Sequence, residues 1–148
     1  MKAKVIAVVG PTASGKTKLA IELAHKLNGE VISADSRLVY KGFDIASAKP
    51  TMEEREGISH HLIDIVEPEF NYSVGNYVED AKRAIEDILS CGKTPIVAGG
   101  TGLYFRVLLE HYDLPKVETD FELRAELEKR SKEDLLEELE KVDKITYE

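Results

Sequence analysis

The stretch Gly10-Pro11-Thr12-Ala13-Ser14-Gly15-Lys16-Thr17 decides the fold, because it fits the pattern G-x-x-x-x-G-K-[ST]. An apolar run, Val5-Ile6-Ala7-Val8-Val9, precedes it, and Lys18–Leu27 reads as a helix behind it. Strand, glycine-bounded loop and helix are the context this pattern needs. Backbone N–H groups then wrap a diphosphate, Lys16 reaches its oxygens and the Thr17 hydroxyl ligates Mg²⁺. The expected diphosphate-binding residues are Gly10, Pro11, Thr12, Ala13, Ser14, Gly15, Lys16 and Thr17, with Thr17 also the metal ligand. The loop announces a diphosphate without saying whose.

The rest of the chain sets outer limits. With 148 residues, 43% of them hydrophobic, there is apolar material for the core of one ordinary domain. No apolar run approaches the roughly 20 residues of a membrane span, and the first residues lead into a strand rather than a cleavable leader. A cytoplasmic protein without a membrane partner is expected. A single cysteine, Cys91, excludes an intrachain disulfide and a cysteine-based metal cluster, and reads as a small residue near a helix end. The net charge of −8 argues against polyanion binding by the whole surface. Residues 116–148 carry −5 of it and residues 1–115 only −3, so a local basic face for nucleic acid remains open.

Outward from the loop, Gly29 is expected to end the first helix, and Glu30–Asp35 reads as a strand that delivers Asp35 at its carboxyl end. In open α/β sheets that is where ligands bind. Ser36–Pro50 reads as a loop with a helical turn, residues 51–57 as a polar surface excursion, and His60–Val66 as a strand stopped by Pro68. Ser73 is a candidate N-cap for a helix carrying Val74, Tyr77, Val78, Ala81, Ala84, Ile85 and Ile88 before Gly92. Thr94–Ala98 reads as a buried strand leading into Gly99-Gly100-Thr101-Gly102, after which Leu103, Tyr104, Val107 and Leu108 mark another helix. Alternating strands and helices mean an α/β fold, a parallel sheet covered on both faces and of the phosphate-loop NTPase kind. Lys16, Thr17, Asp35 and Thr101 should then face one crevice.

From Thr119 onward the pattern changes. Phe121, Leu123, Leu127, Leu135, Leu136 and Leu139 sit among dense charges as expected packing surface, with Ser131 a candidate N-cap between two short helices. His60 and His61 are adjacent, so on a strand they point to opposite faces and cannot chelate together; a structural role is expected for both.

Five ordered motifs carry a resemblance. Besides the phosphate loop they are Ser33-Ala34-Asp35-Ser36 with Val39-Tyr40, Asp44-Ile45 with Ala48-Lys49-Pro50, His60-His61-Leu62-Ile63-Asp64, and Gly99-Gly100-Thr101-Gly102-Leu103-Tyr104. From residue 4 to about residue 115 the chain resembles the tRNA dimethylallyltransferases, or tRNA isopentenyltransferases. The resemblance implies transfer of a dimethylallyl group from dimethylallyl diphosphate to N6 of an adenosine beside the tRNA anticodon, with Mg²⁺ as cofactor. It makes Asp35, Thr101 and Lys16 the catalytic residues, with Asp35 taking the proton of the attacking amine. It places tRNA contacts at Asp35, Ser36, Arg37, Leu38, Thr101 and Arg124. On this likeness residues 1–115 form a partial catalytic core, its sheet incomplete at the carboxyl end, and residues 116–148 the start of a helical insertion. The sequence departs from the family pattern with Arg37-Leu38 where Met-Gln is commoner and Ala46-Ser47 where Gly-Thr is usual.

Other readings of the same residues stay open. Asp35 could instead assist Mg²⁺ or contact a ribose, Thr101 could cap the following helix, and Arg124 could pair with Glu128 on a helix surface. A small-molecule or nucleotide kinase with ATP in the loop is one competing function, and a fragment binding diphosphate or RNA without turnover is another.

Overall fold

The computed structural model describes residues 4–45, 47–110 and 120–147. Ala46, Thr119 and the expected boundary after residue 115 lie outside the described residues. The chain divides into two compact units, residues 1–114 and 115–148.

In the first unit, four parallel strands form one sheet in the order β1-β4-β2-β3: β1 is Ile6–Val9, β2 Gly29–Ser33, β3 His60–His61 and β4 Thr94–Gly99. Parallel neighbours require crossovers. Helix α1 (Lys16–Leu27) packs on β1, β2 and β4, while α2 (Val74–Ser90) packs on β2, β4 and α3 (Gly102–Leu109).

The period of two along the strands sorts the core into two layers. Val31 and Ile96 join Val8, Ala20 and Ala24 beneath α1. Their chain neighbours Ile32 and Val97 face the opposite layer, with Tyr77, Ala81, Ile88 and Tyr104 of α2 and α3. Both faces of the sheet are therefore covered, as the apolar runs require. Tyr77 and Tyr104 stack with ring centroids 3.8 Å apart and planes 11° from parallel, which joins α2 to α3.

Helix α2 starts where its sequence says. Ser73 accepts the Asn76 N–H while the Asn76 side chain accepts the Ser73 N–H, a reciprocal capping box. Its buried residues, Tyr77, Ala81, Ala84 and Ile88, recur at helical spacing. The C-cap is Cys91, and Gly92 follows with φ 70°.

Several sequence expectations give way. Helix α1 ends on Asn28, in the left-handed region at φ 49°, not on Gly29. Gly29 instead opens β2, where an added Cβ would lie 2.7 Å from the Thr94 carbonyl oxygen; it is there for a close approach of two strands. The strand expected over His60–Val66 keeps only two residues, because Leu62 (φ 61°) and Asp64 (φ 55°) turn the backbone out of the extended region. Pairing returns at a single parallel bridge, Tyr40 to Val66. Leu103 is exposed, and Tyr104, Phe105 and Val107 supply the buried face of α3.

The described residues of the second unit form α4 (Phe121–Leu127), α5 (Lys132–Val142) and α6 (Lys144–Tyr147). Ser131 caps α5 by accepting the Asp134 N–H, and Asp120 caps α4 by accepting the Leu123 N–H. The six apolar residues expected as packing surface are not buried; Phe121 is 74% exposed. No helix among the described residues is long and apolar enough to cross a membrane.

Candidate phosphate-loop cleft

The turn from β1 into α1 builds the floor of a cleft of about 610 Å³. Gly15 is the N-cap of α1 at φ 84°, a conformation that suits glycine, and Ala13 beside it also has a positive φ of 62°. No side chain caps α1 and no acidic residue occupies its first turn, so its N-terminal N–H groups and dipole are left for an anion. Helix α5 is the contrast, with Ser131 as cap and Glu133 and Asp134 in the first turn. The Lys16 ammonium folds back to donate to the Pro11 carbonyl, inside the loop it would serve.

Thr12 to Lys18 line the cleft, and Asp35 and Leu38 line it from the end of β2. Asp35 lies two residues beyond that strand and is half-buried. Its Oδ1 accepts the Arg37 N–H at 2.9 Å, so the carboxylate is held by its own turn. The Ser36 N–H donates to Thr101 Oγ1 at 3.2 Å, and the Thr101 N–H to the Ala34 carbonyl at 3.1 Å. These bonds lace the β2 end to the β4 end. Thr101 occupies the N-cap position of α3 without making a side-chain cap; its hydroxyl oxygen serves Ser36 instead.

Lys16, Thr17 and Asp35 thus share the cleft with Gly99 and Gly100, whereas Gly10, Pro11 and Thr101 are not among its lining residues; Thr101 is tied to the Asp35 turn by accepting the Ser36 N–H. Ser36 and Arg37 are exposed beside it and are not among its lining residues. Arg124 is exposed on α4 in the other unit, where its carbonyl accepts the Glu128 N–H; among the described residues its side chain makes no ion pair with Glu128.

Sequence reasoning missed the opposite wall, made by Ser47, Ala48, Pro50, Glu54 and Glu56. That wall is tied down by its own contacts. Thr51 and Glu54 exchange hydrogen bonds of 2.8 and 3.1 Å, Arg55 Nε donates to the Pro50 carbonyl at 3.1 Å, and Glu56 lies 3.3 Å from His25 of α1. Nothing in the polar run 51–57 signals a cleft wall, because the turn that brings it over α1 depends on contacts distant in sequence.

His60 and His61 each make one hydrogen bond within the protein, to separate partners. His60 Nδ1 donates to the Ile58 carbonyl at 2.9 Å, and burial pulls its pKa below the usual histidine value. His61 Nε2 lies 2.6 Å from Glu30, which also binds Lys93 at 2.7 Å. The Lys93 hydrogen bond, against the opposing effect of burial and with help from His61, holds Glu30 below the usual carboxylate range. Among the described residues no three His, Cys, Asp or Glu side chains gather to hold a metal ion.

A parallel sheet with a phosphate loop after its first strand, and a carboxylate just beyond the end of β2, one strand further along the sheet, defines a phosphate-loop α/β protein. The family model of IPP transferase matches residues 38–148, and the chain belongs to that family. It is 53% identical over 145 residues to the tRNA dimethylallyltransferase of Thermomicrobium roseum, covering 95% of this chain and 44% of that protein. It is 54% identical over 129 residues to that of Acetivibrio thermocellus, covering 87% of this chain and 41% of that protein. Among solved structures it resembles the full-length tRNA isopentenylpyrophosphate transferase of Bacillus halodurans, with TM-score 0.76, 43% identity and coverage of 99% of this chain and 50% of that one. It also resembles a eukaryotic dimethylallyltransferase acting on tRNA, with TM-score 0.85, 36% identity and coverage of 99% and 37%. The chain spans about half the length, or less, of the relatives it matches.

Proposed function

We propose that this chain carries the diphosphate-binding and catalytic half of an enzyme that transfers a dimethylallyl group from dimethylallyl diphosphate to N6 of an adenosine next to a tRNA anticodon. The observation that carries the reading is the cleft itself, which the phosphate loop with Lys16, the Asp35 carboxylate and the apolar side chains of Leu38, Ala48 and Pro50 line together. Anion donors, a proton acceptor and a greasy wall are the three things an allylic diphosphate and an amine need together.

Residues Gly10 to Thr17 hold the diphosphate, and Lys16 neutralises the charge that grows as the allylic C–O bond breaks and its electron pair leaves with the diphosphate. Asp35 takes the proton from N6 as the new N–C bond forms; an adenine amine is a poor nucleophile, so a fixed acceptor matters. Thr101 supports this geometry by accepting the Ser36 N–H and so holding the turn that carries Asp35, and a hydrogen bond from its hydroxyl to substrate is part of the proposal. Ser36, Arg37, Leu38 and, on α4, Arg124 are the proposed tRNA contacts. An anticodon loop presents an unpaired adenosine at lower cost than a duplex does. The residues fit Mg²⁺, since a hard cation in such a loop is held by one hydroxyl, here Thr17, and by phosphate oxygens rather than by a protein cage. Mg²⁺ bound there would supply charge stabilisation to the departing diphosphate. Residues 1–115 are proposed as a partial catalytic core and 116–148 as the start of a helical insertion, working in the cytoplasm.

The test is a single-turnover reaction with excess protein, dimethylallyl diphosphate, Mg²⁺ and an anticodon stem-loop, in this chain and in one extended to the length of its relatives. Nucleoside masses should show one added dimethylallyl unit on adenosine in the extended protein. Phosphate transfer from ATP with unmodified adenosine would replace the reading with a kinase.

A further inference from the structure

The cleft wall formed by Ser47, Ala48 and Pro50 is fastened by one buried cation. The Lys49 side chain is only 7% exposed, and its ammonium sits between two carboxylates, Asp44 at 2.6 Å and Asp64 in closer contact. Burial opposes its charge, and the two carboxylates outweigh that effect, so its pKa lies above the usual lysine value. Both neighbourhoods are bent: Ala48 (φ 49°) and Asp64 (φ 55°) hold backbone conformations that side-chain-bearing residues leave unless their surroundings fix them.

The far end of this bridge is anchored to the turn that carries Asp35. The Asp64 N–H donates to the Leu38 carbonyl at 2.9 Å and the Ile65 N–H to the Val39 carbonyl at 2.8 Å. Lys49 to Asp64 therefore ties the wall to the segment that bears Leu38, whereas Lys49 to Asp44 closes the wall on itself. A ring hydroxyl or amide could not replace this arrangement, because it needs a long side chain with donors in several directions.

We propose that Lys49 is a positioning residue that clamps Ser47, Ala48 and Pro50 against the Asp35–Leu38 turn, giving the cleft an apolar slot of fixed width for the hydrocarbon tail of an allylic diphosphate. With both carboxylates already on its ammonium, Lys49 acts through the wall and does not touch the phosphates. The proposal rests on the diphosphate reading above.

Calorimetry on the 148-residue chain with Mg²⁺ separates the two, using inorganic pyrophosphate as headgroup alone and dimethylallyl diphosphate as headgroup plus tail. Loss of the clamp in Lys49→Met should weaken dimethylallyl diphosphate by about tenfold through lost preorganisation and leave pyrophosphate within about twofold. Lys49→Arg, which keeps the charge and the reach, should restore most of the difference. Lys16→Ala should weaken both ligands alike, and thermal melts should place all variants within a few degrees of the parent. Equal weakening of both ligands in Lys49→Met, or of neither, would overturn the clamp while leaving the diphosphate site standing. Parent protein that binds neither ligand would overturn the diphosphate reading and the clamp with it.

Discussion

Lys16 and Asp35 reach the cleft from different strand ends, and their substitutions should separate binding from chemistry. Lys16→Ala removes a charge-assisted contact worth roughly 1.5 to 3 kcal/mol, so pyrophosphate affinity should fall by about 10- to 150-fold with the fold intact. Unchanged affinity would mean that the diphosphate binds elsewhere. Asp35→Asn keeps the side-chain shape and its bond from the Arg37 N–H but cannot take a proton. In a protein of the relatives' length it should bind dimethylallyl diphosphate normally and transfer it about 10²- to 10⁴-fold more slowly. A parent-like single-turnover rate would make Asp35 a positioning group. At this scale the sequence exposed the loop and the Asp35 strand end, since both follow from short local patterns. It hid the Lys49 bridge, because nothing local tells Lys49 that Asp64 will be its partner, and it hid that Thr101 serves Ser36 rather than its own helix.

Elements were legible where one period governed them. Helix α2 and strands β1 and β4 follow from spacing and punctuation, with Ser73 and Gly92 marking the ends of α2. The run after His61 failed because Leu62 and Asp64 hold positive φ, which hydropathy does not register. The short strand β3 is instead held by Glu30 of β2, which joins His61 to Lys93 just before β4. The Lys93 and His61 contacts hold Glu30 below the ordinary carboxylate range in the fold, so its stabilisation is fully present above the unfolded pKa and disappears as pH falls through the lower folded one. Melting temperature should therefore drop between about pH 5 and pH 3, and Glu30→Gln should lower it at neutral pH and flatten that part of the drop. A Glu30→Gln profile parallel to the parent's would show that the tie contributes nothing. In the core, Ile88→Ala removes a side chain only 1% exposed and should cost about 2 to 5 kcal/mol by denaturant melts, with a value below 1 arguing against the two-layer packing.

On the scale of the whole molecule, diphosphate affinity and tRNA affinity should come apart. The phosphate loop, Asp35 and the wall across from them all lie within residues 10–56, whereas the chain matches only about half of its relatives' length and carries a net charge of −8. Filter binding should find tRNA held weakly, with affinity falling steeply as salt rises and little dependence on the anticodon sequence. Strand β1 pairs with β4 alone among the described residues, and Val9 is 60% exposed, so sedimentation should also show association that grows with concentration. On the proposed function an allylic diphosphate sits in the phosphate-loop cleft. The most direct test is amide NMR of the 148-residue chain titrated with dimethylallyl diphosphate and Mg²⁺. Saturable shifts should concentrate at Gly10, Thr12 to Lys18, Asp35 and Leu38, and should need about 10- to 150-fold more ligand in Lys16→Ala. Saturable shifts elsewhere, or none in those residues, would contradict that placement.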